Sequence, residues 1–287
     1  MSDQITTAFM QQYKAGIEIL VQQKGSRLRS CVRVEDQVGK QSFYDQLGST
    51  TVRERTVRHG DSPYIATPHS RRMCILKDYD WGDYIDSEDK IRTLNDPSNQ
   101  YTVNAAFAFG RKIDEVLLDA ASGDAKTGET GGDTTPLPST QKIGGSVPMS
   151  LALLLQAKEI LDENETDPDQ PRYIACTAAQ ITSLLNTTEV KSSDFNTVKA
   201  LASGQINTYL GFEFKRVNSG LFNTVGSDDA CIAWSRPGLL LAIGAELVAR
   251  VTERSDKGFS WYAFNRMSFA ATRMQEELVV EIACNEA

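Results

Sequence analysis

The sequence predicts an α+β protein in which one long helix and many separate strands share a core, and three observations indicate this class. Apolar residues follow one helical face from Pro97 to Ser122, which corresponds to a helix of roughly 39 Å. Short helical and β-prone runs alternate through the second half of the chain. A long β-prone run, Ser260 to Thr272, is expected to return to the first part of the molecule. The architecture is therefore predicted to be discontinuous.

Composition excludes several classes of protein. With 287 residues, 40% of them hydrophobic and 24% charged, the chain can bury a sizeable core and is neither disordered nor collagen-like. Its net charge of −8 disfavours a protein whose main surface binds nucleic acid, although an inner surface could still tolerate it. The N-terminus lacks a secretory pattern, and no stretch of about 18 apolar residues could span a bilayer. We expect a protein that stays in a cytosol and has no membrane partner.

Cysteine usage favours the same compartment. The chain has five cysteines, an odd number, and they are widely spaced without any CxxC pair. Disulfide frameworks and zinc sites usually show close local pairs. We therefore predict free thiols at Cys31, Cys74, Cys176, Cys231 and Cys284.

The first third of the chain has features that need support from elsewhere. Residues 3–23 predict an amphipathic N-terminal arm, which packs on a distant part of the fold or on another chain. From Val32 to about Asp78, short β-prone runs broken by Gly and Pro predict an extended hairpin with a long loop. An isolated hairpin is marginally stable in water, so a second subunit is a plausible support.

The long helix divides the chain. Asp96 is the predicted N-cap, Pro97 the first helical residue and Gly123 the stop. Residues 123–146 are rich in Gly, Thr, Ser and Pro, and they predict a surface loop or linker at the main boundary. Beyond it we predict an α/β lobe: a helix from Leu151, the strand RYIACT, the helix TAAQITSLLN capped by Thr177, the helix SDFNTVKALASG, and the strands FEFKRV, ACIAW, GLLLAI, ELVARVTE, SWYAFNRMSFAAT and LVVEIA.

Charge is segregated in an unusual way. From Lys24 to Arg72 ten basic residues stand against five acidic ones, and from Lys77 to Asp96 three stand against seven. Such neighbouring patches can steer self-association, although two solvated surfaces would give the same pattern. The contact candidates are Arg53, Arg55, Arg58, Arg71 and Arg72 on the basic side, and Asp78, Asp80, Asp83 and Asp86 on the acidic side.

The sequence gives little support for a catalytic function. The chain has only two histidines, His59 and His69, which together with Asp61 could supply three metal ligands, although turn residues with local hydrogen bonds explain them better. The segment DYDWGD begins like a calcium loop, but its glycine comes one position early. Nucleotide-binding and hydrolase motifs are absent from the sequence. We predict no catalytic residue, cofactor or metal.

The order of these parts resembles the major capsid proteins of tailed double-stranded DNA bacteriophages, which have the Hong Kong 97 fold. The resemblance covers nearly the whole chain. It is carried by the order of arm, extended loop, long helix, lobe and returning strand, and by the segments QQKGSRLRSCVR, RHGDSPYIATPHSRR, KDYDWGDYID, LNDPSNQY and GRKIDEVLLDAASGDA.

This resemblance implies a division of the chain. Residues 1–35 would form the N-arm, 36–90 the E-loop and its base, 91–147 the P-domain with its spine helix at 97–122, 148–250 the A-domain, and 251–287 a return to the P-domain. The five arginines would then lie on the E-loop and reach over a neighbouring subunit. Some relatives cross-link through an E-loop lysine, but here the loop's lysine is Lys40, near its base, so a non-covalent shell is expected.

The resemblance also implies a function. The chain would assemble into pentamers and hexamers of an icosahedral shell around double-stranded DNA, inside the host bacterial cytoplasm and then in the virion. Its partners would be itself, a portal, a separate scaffolding protein, possibly a decoration protein, and packaged DNA through non-specific contact. Two alternatives stay open: an encapsulin-type compartment shell, and a metal-assisted enzyme that uses His59, Asp61 and His69.

Overall fold

The computed structural model describes most of the chain. The described residues are 22–56, 58, 60–62, 64–85, 98–145, 147–164, 166–167, 169–186, 208–222, 224–225 and 228–285. The predicted arm at 3–23 lies almost entirely outside these ranges, and so do the predicted N-cap Asp96 with Pro97 and the helix predicted between 194 and 204.

Three α-helices lie in the described part of the chain. They are α1 (Ser98–Ser122), α2 (Leu151–Glu163) and α3 (Ala178–Asn186). The long helix is confirmed, and it ends at Ser122 as predicted. The last helical hydrogen bond runs from the Gly123 N–H to the Asp119 carbonyl over 2.8 Å. Thr177 caps α3 as predicted: its hydroxyl accepts from the Gln180 N–H at 3.3 Å. None of the described helices combines the length and the apolar character that a membrane span needs.

The strands form three sheets. The strands are β1 (Arg33–Asp36), β2 (Gln41–Leu47), β3 (His69–Ile75), β4 (Lys77–Ile85), β5 (Ala125–Thr127), β6 (Asp133–Thr135), β7 (Lys142–Gly144), β8 (Arg172–Cys176), β9 (Thr208–Tyr209), β10 (Phe212–Arg216), β11 (Thr224–Val225), β12 (Asp228–Ser235), β13 (Leu239–Arg254), β14 (Ser260–Arg273) and β15 (Val279–Cys284). The first sheet has the order β1-β13-β14-β4, the second β7-β15-β12-β8-β10-β9 with β11 beside β12, and the third β2-β3-β5-β6.

The extended hairpin is confirmed. Strands β2 and β3 pair antiparallel from Gln41 opposite Ile75 to Leu47 opposite His69. Between them, residues 48–68 form a long loop, which we call the hairpin loop, and its described residues contain no strand. Two of its apolar side chains are almost fully solvated, Val52 being 97% and Tyr64 92% exposed.

The prediction of a loop or linker at 123–146 is wrong, because this stretch contains β5, β6 and β7. Its glycines do not mark a flexible linker. Gly128 and Gly131 adopt positive φ angles in the turn between β5 and β6, and a side chain on Gly131 would collide with Met73. This small hairpin joins the sheet of the extended hairpin, while β7 joins the seven-stranded sheet.

Strand β4 was not predicted, although its sequence carries a signal for it. Tyr79 and Trp81 are half-buried and pack against the core beneath α1, whereas Asp78 and Asp80 between them are exposed. Alternation of this kind is typical of a strand with one buried face.

The predicted return of the C-terminal part is confirmed. Strand β14 pairs with β4 from Phe269 opposite Lys77 to Trp261 opposite Ile85. The runs GLLLAI and ELVARVTE, predicted separately, form the single strand β13, with register irregularities between Ile243 and Val248. Strand β15 lies between β7 and β12 in the other large sheet. The two ends of the chain therefore share one fold, with all five cysteines free and buried as predicted.

A buried carboxylate fixes the chain onto the long helix. Asp114 of α1 is fully buried, and each of its oxygens accepts two hydrogen bonds. Its Oδ1 accepts from the Ser26 hydroxyl at 2.5 Å and the Leu28 N–H at 3.1 Å. Its Oδ2 accepts from Gln23 Nε2 at 2.5 Å and the Arg27 N–H at 3.0 Å. One buried side chain thus makes four of the hydrogen bonds that hold the entering chain to the helix, and Asn104 and Arg111 add bonds to Gln22.

A second buried network joins the helix end to the C-terminal part. Arg273 is fully buried and donates to the carbonyl oxygens of Ala121 and Gly123, at 2.9 and 2.6 Å, at the C-terminus of α1. Burial lowers the pKa of its guanidinium, yet an arginine remains charged. Arg72 donates to Glu276 Oε2 at 2.5 Å, and the other oxygen of Glu276 lies 3.5 Å from Arg273 Nε.

Replacing Asp114 with Asn is expected to destabilise the subunit by about 3 kcal/mol, because the amide nitrogen would face two donors and lose two charge-assisted hydrogen bonds. The measurement is urea unfolding of the unassembled subunit. Glu115→Gln is the matched control: Glu115 pairs with Lys112 at the surface, so its loss is expected to cost less than about 1 kcal/mol. Equal stability of the two variants would contradict the role given to Asp114.

Replacing Arg72 with Met is expected to lower the free energy of unfolding by about 3 kcal/mol, because it leaves Glu276 in a buried position with a weaker partner. Arg71→Met is the control at the next position, where the ion pair with Asp45 is exposed and its loss is expected to have a much smaller effect. Chemical denaturation of both variants measures the difference. If both variants unfold like the parent, the buried network is not a stabilising element.

Candidate subunit interface

Three of the predicted contact arginines lie on the hairpin loop. Arg53, Arg55 and Arg58 are exposed, and the Arg55 guanidinium donates to the Arg58 carbonyl oxygen. Arg53 and Arg55 also line a cavity of about 400 Å³ that contains Glu54 and Asp61 of the same loop. The loop therefore presents guanidinium groups to solvent on a backbone that is partly organised by its own contacts.

Arg71 and Arg72 point to opposite faces of β3, as successive residues of a strand do. Arg71 is on the open face, where its Nε lies 2.5 Å from Asp45 Oδ1 and its guanidinium lies 5.3 Å from the centre of the Phe43 ring. The hydrogen bond from Arg71 lowers the pKa of Asp45. Arg72 is only 6% exposed and is engaged inside its own subunit, so it is left out of the interface proposed below.

The acidic candidates on β4 are exposed but have neighbours within the subunit. Asp78 Oδ1 accepts from the Ser268 hydroxyl at 2.5 Å, and Asp83 Oδ1 accepts from the Tyr84 N–H at 2.8 Å. Asp80 lies opposite Arg266 in the register of β4 and β14. Asp86 lies outside the described residues. The edge strand β4 thus forms an acidic surface whose charges are partly balanced from within.

The candidate metal ligands are not brought together where the structure describes them. Asp61 lines the cavity of the hairpin loop, whereas His69 lines a separate cavity on the face of β3 together with Asp45 and Glu129. His59 lies outside the described residues. Among the residues that are described, no group of three His, Cys, Asp or Glu side chains could hold a metal ion.

Sequence reasoning missed a groove at the base of the hairpin, which we call the base groove. It has a volume of about 620 Å³ and is formed where the start of the hairpin loop, the turn after α2 and the connection between β14 and β15 meet. Its acidic residues are Asp167, Glu276 and Glu277. Asp167 lies more than 90 positions after the hairpin and more than 100 positions before Glu276, so no local pattern could reveal the groove.

Solved structures resemble this one over nearly its whole length. The capsid of Cyanophage P-SCSP1u matches with a TM-score of 0.73 and 14% sequence identity, and the match covers 99% of this chain and 95% of that one. The capsid of Ralstonia phage GP4 matches with a TM-score of 0.71 and 12% identity, covering 96% and 95%. The capsid of a native GTA particle matches with a TM-score of 0.74 and 9% identity, also covering 96% and 95%. At these identities the structures show a shared fold.

The family is shown by the sequence itself. No protein of curated function matches it significantly. The family model described as phage capsid protein, however, matches residues 5–286, which is nearly the entire chain. The chain therefore belongs to the phage capsid protein family.

Proposed function

We propose that this chain is the major head subunit of a tailed phage, and that its pentamers and hexamers close an icosahedral shell around double-stranded DNA. Membership of the phage capsid protein family makes it a structural protein of a capsid rather than an enzyme. The observation that carries the finer proposal is the extended hairpin, which projects from the fold with side chains that its own subunit does not cover.

Solvent exposure along the hairpin favours burial against another copy. Leu47 is 70% exposed, Val52 97% and Tyr64 92%, and all three lie on or beside the same loop. Full burial of one large apolar side chain is worth about 1.5–3 kcal/mol. A neighbouring subunit that covers these residues therefore gains free energy that the isolated subunit cannot, and exposed apolar surface of this kind is typical of interaction sites.

We propose the following domain assignment, which the packing of the helices supports, although β13 shares a sheet with β14 and β7 shares one with β15. We assign residues 1–35 to the N-arm, 36–90 to the E-loop and its base, 91–147 to the P-domain and 148–250 to the A-domain. Supporting this, α1 packs on the sheet that contains β13 and β14, and α2 packs on the seven-stranded sheet. The last segment, 251–287, serves both parts, because β14 lies in the first sheet and β15 in the second.

The proposed partners follow from the same role. A shell that receives DNA needs a portal, and we propose that a separate scaffolding protein guides assembly in the host bacterial cytoplasm. The five free cysteines agree with assembly in a reducing compartment. Packaged DNA would touch the inner surface without sequence preference, a decoration protein could bind outside, and the shell would be non-covalent. The family match favours neither the encapsulin-type compartment nor the metal-assisted enzyme.

Electron microscopy of the purified protein tests the proposal directly. We expect closed shells tens of nanometres across, formed by the protein alone or with the scaffolding protein encoded beside it. Light scattering of the same samples gives the assembled fraction. Monomers or small oligomers under both conditions would reject the proposal.

Reversing two loop charges tests the contact made by the hairpin. The double variant Arg53→Glu, Arg58→Glu is expected to assemble at least about tenfold less efficiently, because like charges facing each other across an interface cost several kcal/mol. Its unfolding midpoint as an isolated subunit should not change, since both side chains are exposed. The control is Lys126→Glu, Lys158→Glu, which makes the same charge change away from the loop. Equal assembly of both double variants would mean that the loop charges are only solvated surface.

A further inference from the structure

The base groove contains buried acceptors that its own subunit satisfies incompletely. The Oγ1 of Thr166 is buried and takes part in no hydrogen bond within the described part of the chain, and the Oε1 of Glu276 has only the Arg273 Nε as a partner, in an ion pair at 3.5 Å. Thr166 is 6% exposed and Glu276 8%. A buried polar atom without a full set of hydrogen-bond partners destabilises the isolated subunit. The isolated subunit therefore holds an incomplete polar site.

The charge of the groove shows which chemistry would complete it. Asp167 and Glu277 stand exposed at its rim, and Glu276 lies deeper. Among the described residues that line it, Arg72 is the one cation. Its guanidinium is already engaged by the Met274 carbonyl, at 3.0 Å, and by Glu276 Oε2. Glu276 is therefore paired, whereas the two rim carboxylates have no cationic partner among the described residues that line the groove.

A guanidinium group is the donor that fits these acceptors. It presents five N–H groups in a planar fork, which can bind a carboxylate through two of them and still reach a hydroxyl oxygen. The volume of about 620 Å³ lies within the range of roughly 300–1,000 Å³ that is typical of binding clefts. A whole arginine side chain with adjoining backbone can therefore enter.

We infer that the base groove of one subunit receives an arginine, Arg53 or Arg58, from the hairpin loop of a second copy. This inference rests on the proposed shell function and names the acceptor of the loop within it. Both side chains are exposed, and neither makes an ion pair among the described residues. Arg53 and Arg58 of its own loop do not line the groove, so we assign the arginine to another subunit.

The acidic strand β4 is the weaker acceptor for the same arginines. Asp78 and Asp83 already accept hydrogen bonds from their own subunit, and Asp80 lies opposite Arg266. In the groove, Asp167 also accepts a hydrogen bond, from the Asp169 N–H at 3.0 Å, whereas no hydrogen bond to the side chain of Glu277 is found in the described part of the chain. Beside these exposed carboxylates lie a buried hydroxyl without a hydrogen-bond partner, that of Thr166, and the Glu276 Oε1, which has only a 3.5 Å ion pair with Arg273. Burying a guanidinium there satisfies atoms that water does not reach, which a solvated strand surface cannot offer.

A charge exchange between the two surfaces tests this contact. Glu277→Arg alone, and Arg53→Glu or Arg58→Glu alone, are each expected to lower the assembled fraction by about tenfold, because each places like charges together. Combining Glu277→Arg with the correct loop variant should restore assembly to within about threefold of the parent. Light scattering and electron microscopy of the shells give the assembled fraction. Glu159→Arg, an exposed residue of α2 outside the groove, is the matched control.

The outcomes separate this inference from the shell function. If the parent protein forms no shells, the proposed function itself fails. If the parent forms shells and Glu277→Arg assembles as well as Glu159→Arg, the groove is not the acceptor. If every single variant is defective but neither combination recovers, a direct contact is also refuted. Recovery by charge exchange requires that the loop arginine itself occupies the groove, and it would not occur if a small cation such as a polyamine occupied the groove instead. Asp167→Arg, on the same rim, repeats the test should Glu277→Arg fail to fold, which its unfolding curve would show.

Discussion

The buried carboxylate of Asp114 is the constraint on which the entry of the chain into the fold depends. A desolvated carboxylate costs several kcal/mol unless donors surround it, and here all four come from residues 23–28. The backbone can come close enough only because Gly25 adopts a positive φ angle and Gly110 of α1 lacks a side chain that would collide with it. Directly after this segment, the Cys31 carbonyl accepts a hydrogen bond from Trp234 Nε1 at 3.0 Å, and β1 pairs with β13.

A buried charged side chain also fixes the C-terminal end of α1. Arg273 of β14 satisfies two carbonyl groups at the C-terminus of α1 and one on Thr135. Arg72, at the root of the extended hairpin, joins this network through Glu276. A hairpin that cannot bury its own tip is thereby tied at its base to the helix and to the C-terminal strands. The subunit can project the hairpin because its root is held by buried, directional contacts.

Elements whose signal is local could be predicted from the sequence. Periodicity was enough for α1 and for β14, and Thr177 marked the start of α3. Strand β4 was missed because its many carboxylates predict only an acidic surface with aromatic anchors, and the hairpin of β5 and β6 was missed because its glycines suit both a tight turn and a flexible linker. The loop arginines stand out by their charge, and their role in an interface stays a prediction. Arg72, by contrast, could not be distinguished from Arg71 until the strand showed which face each residue occupies.

The base groove lies beyond any local pattern, since it needs Thr166 and Glu276 to meet the root of a hairpin more than 90 residues earlier in the chain. Its chemistry nevertheless explains how a rigid subunit can assemble reversibly. Exposed ion pairs contribute about 0–1 kcal/mol each, so a misplaced neighbour held by them can leave again. An arginine that enters the groove loses its hydrating water, and hydrogen bonds to the buried acceptors offset this loss only when the two subunits are docked correctly. On the proposed shell function, surface charge thus guides the encounter, and the unfilled acceptors of the groove select the final position.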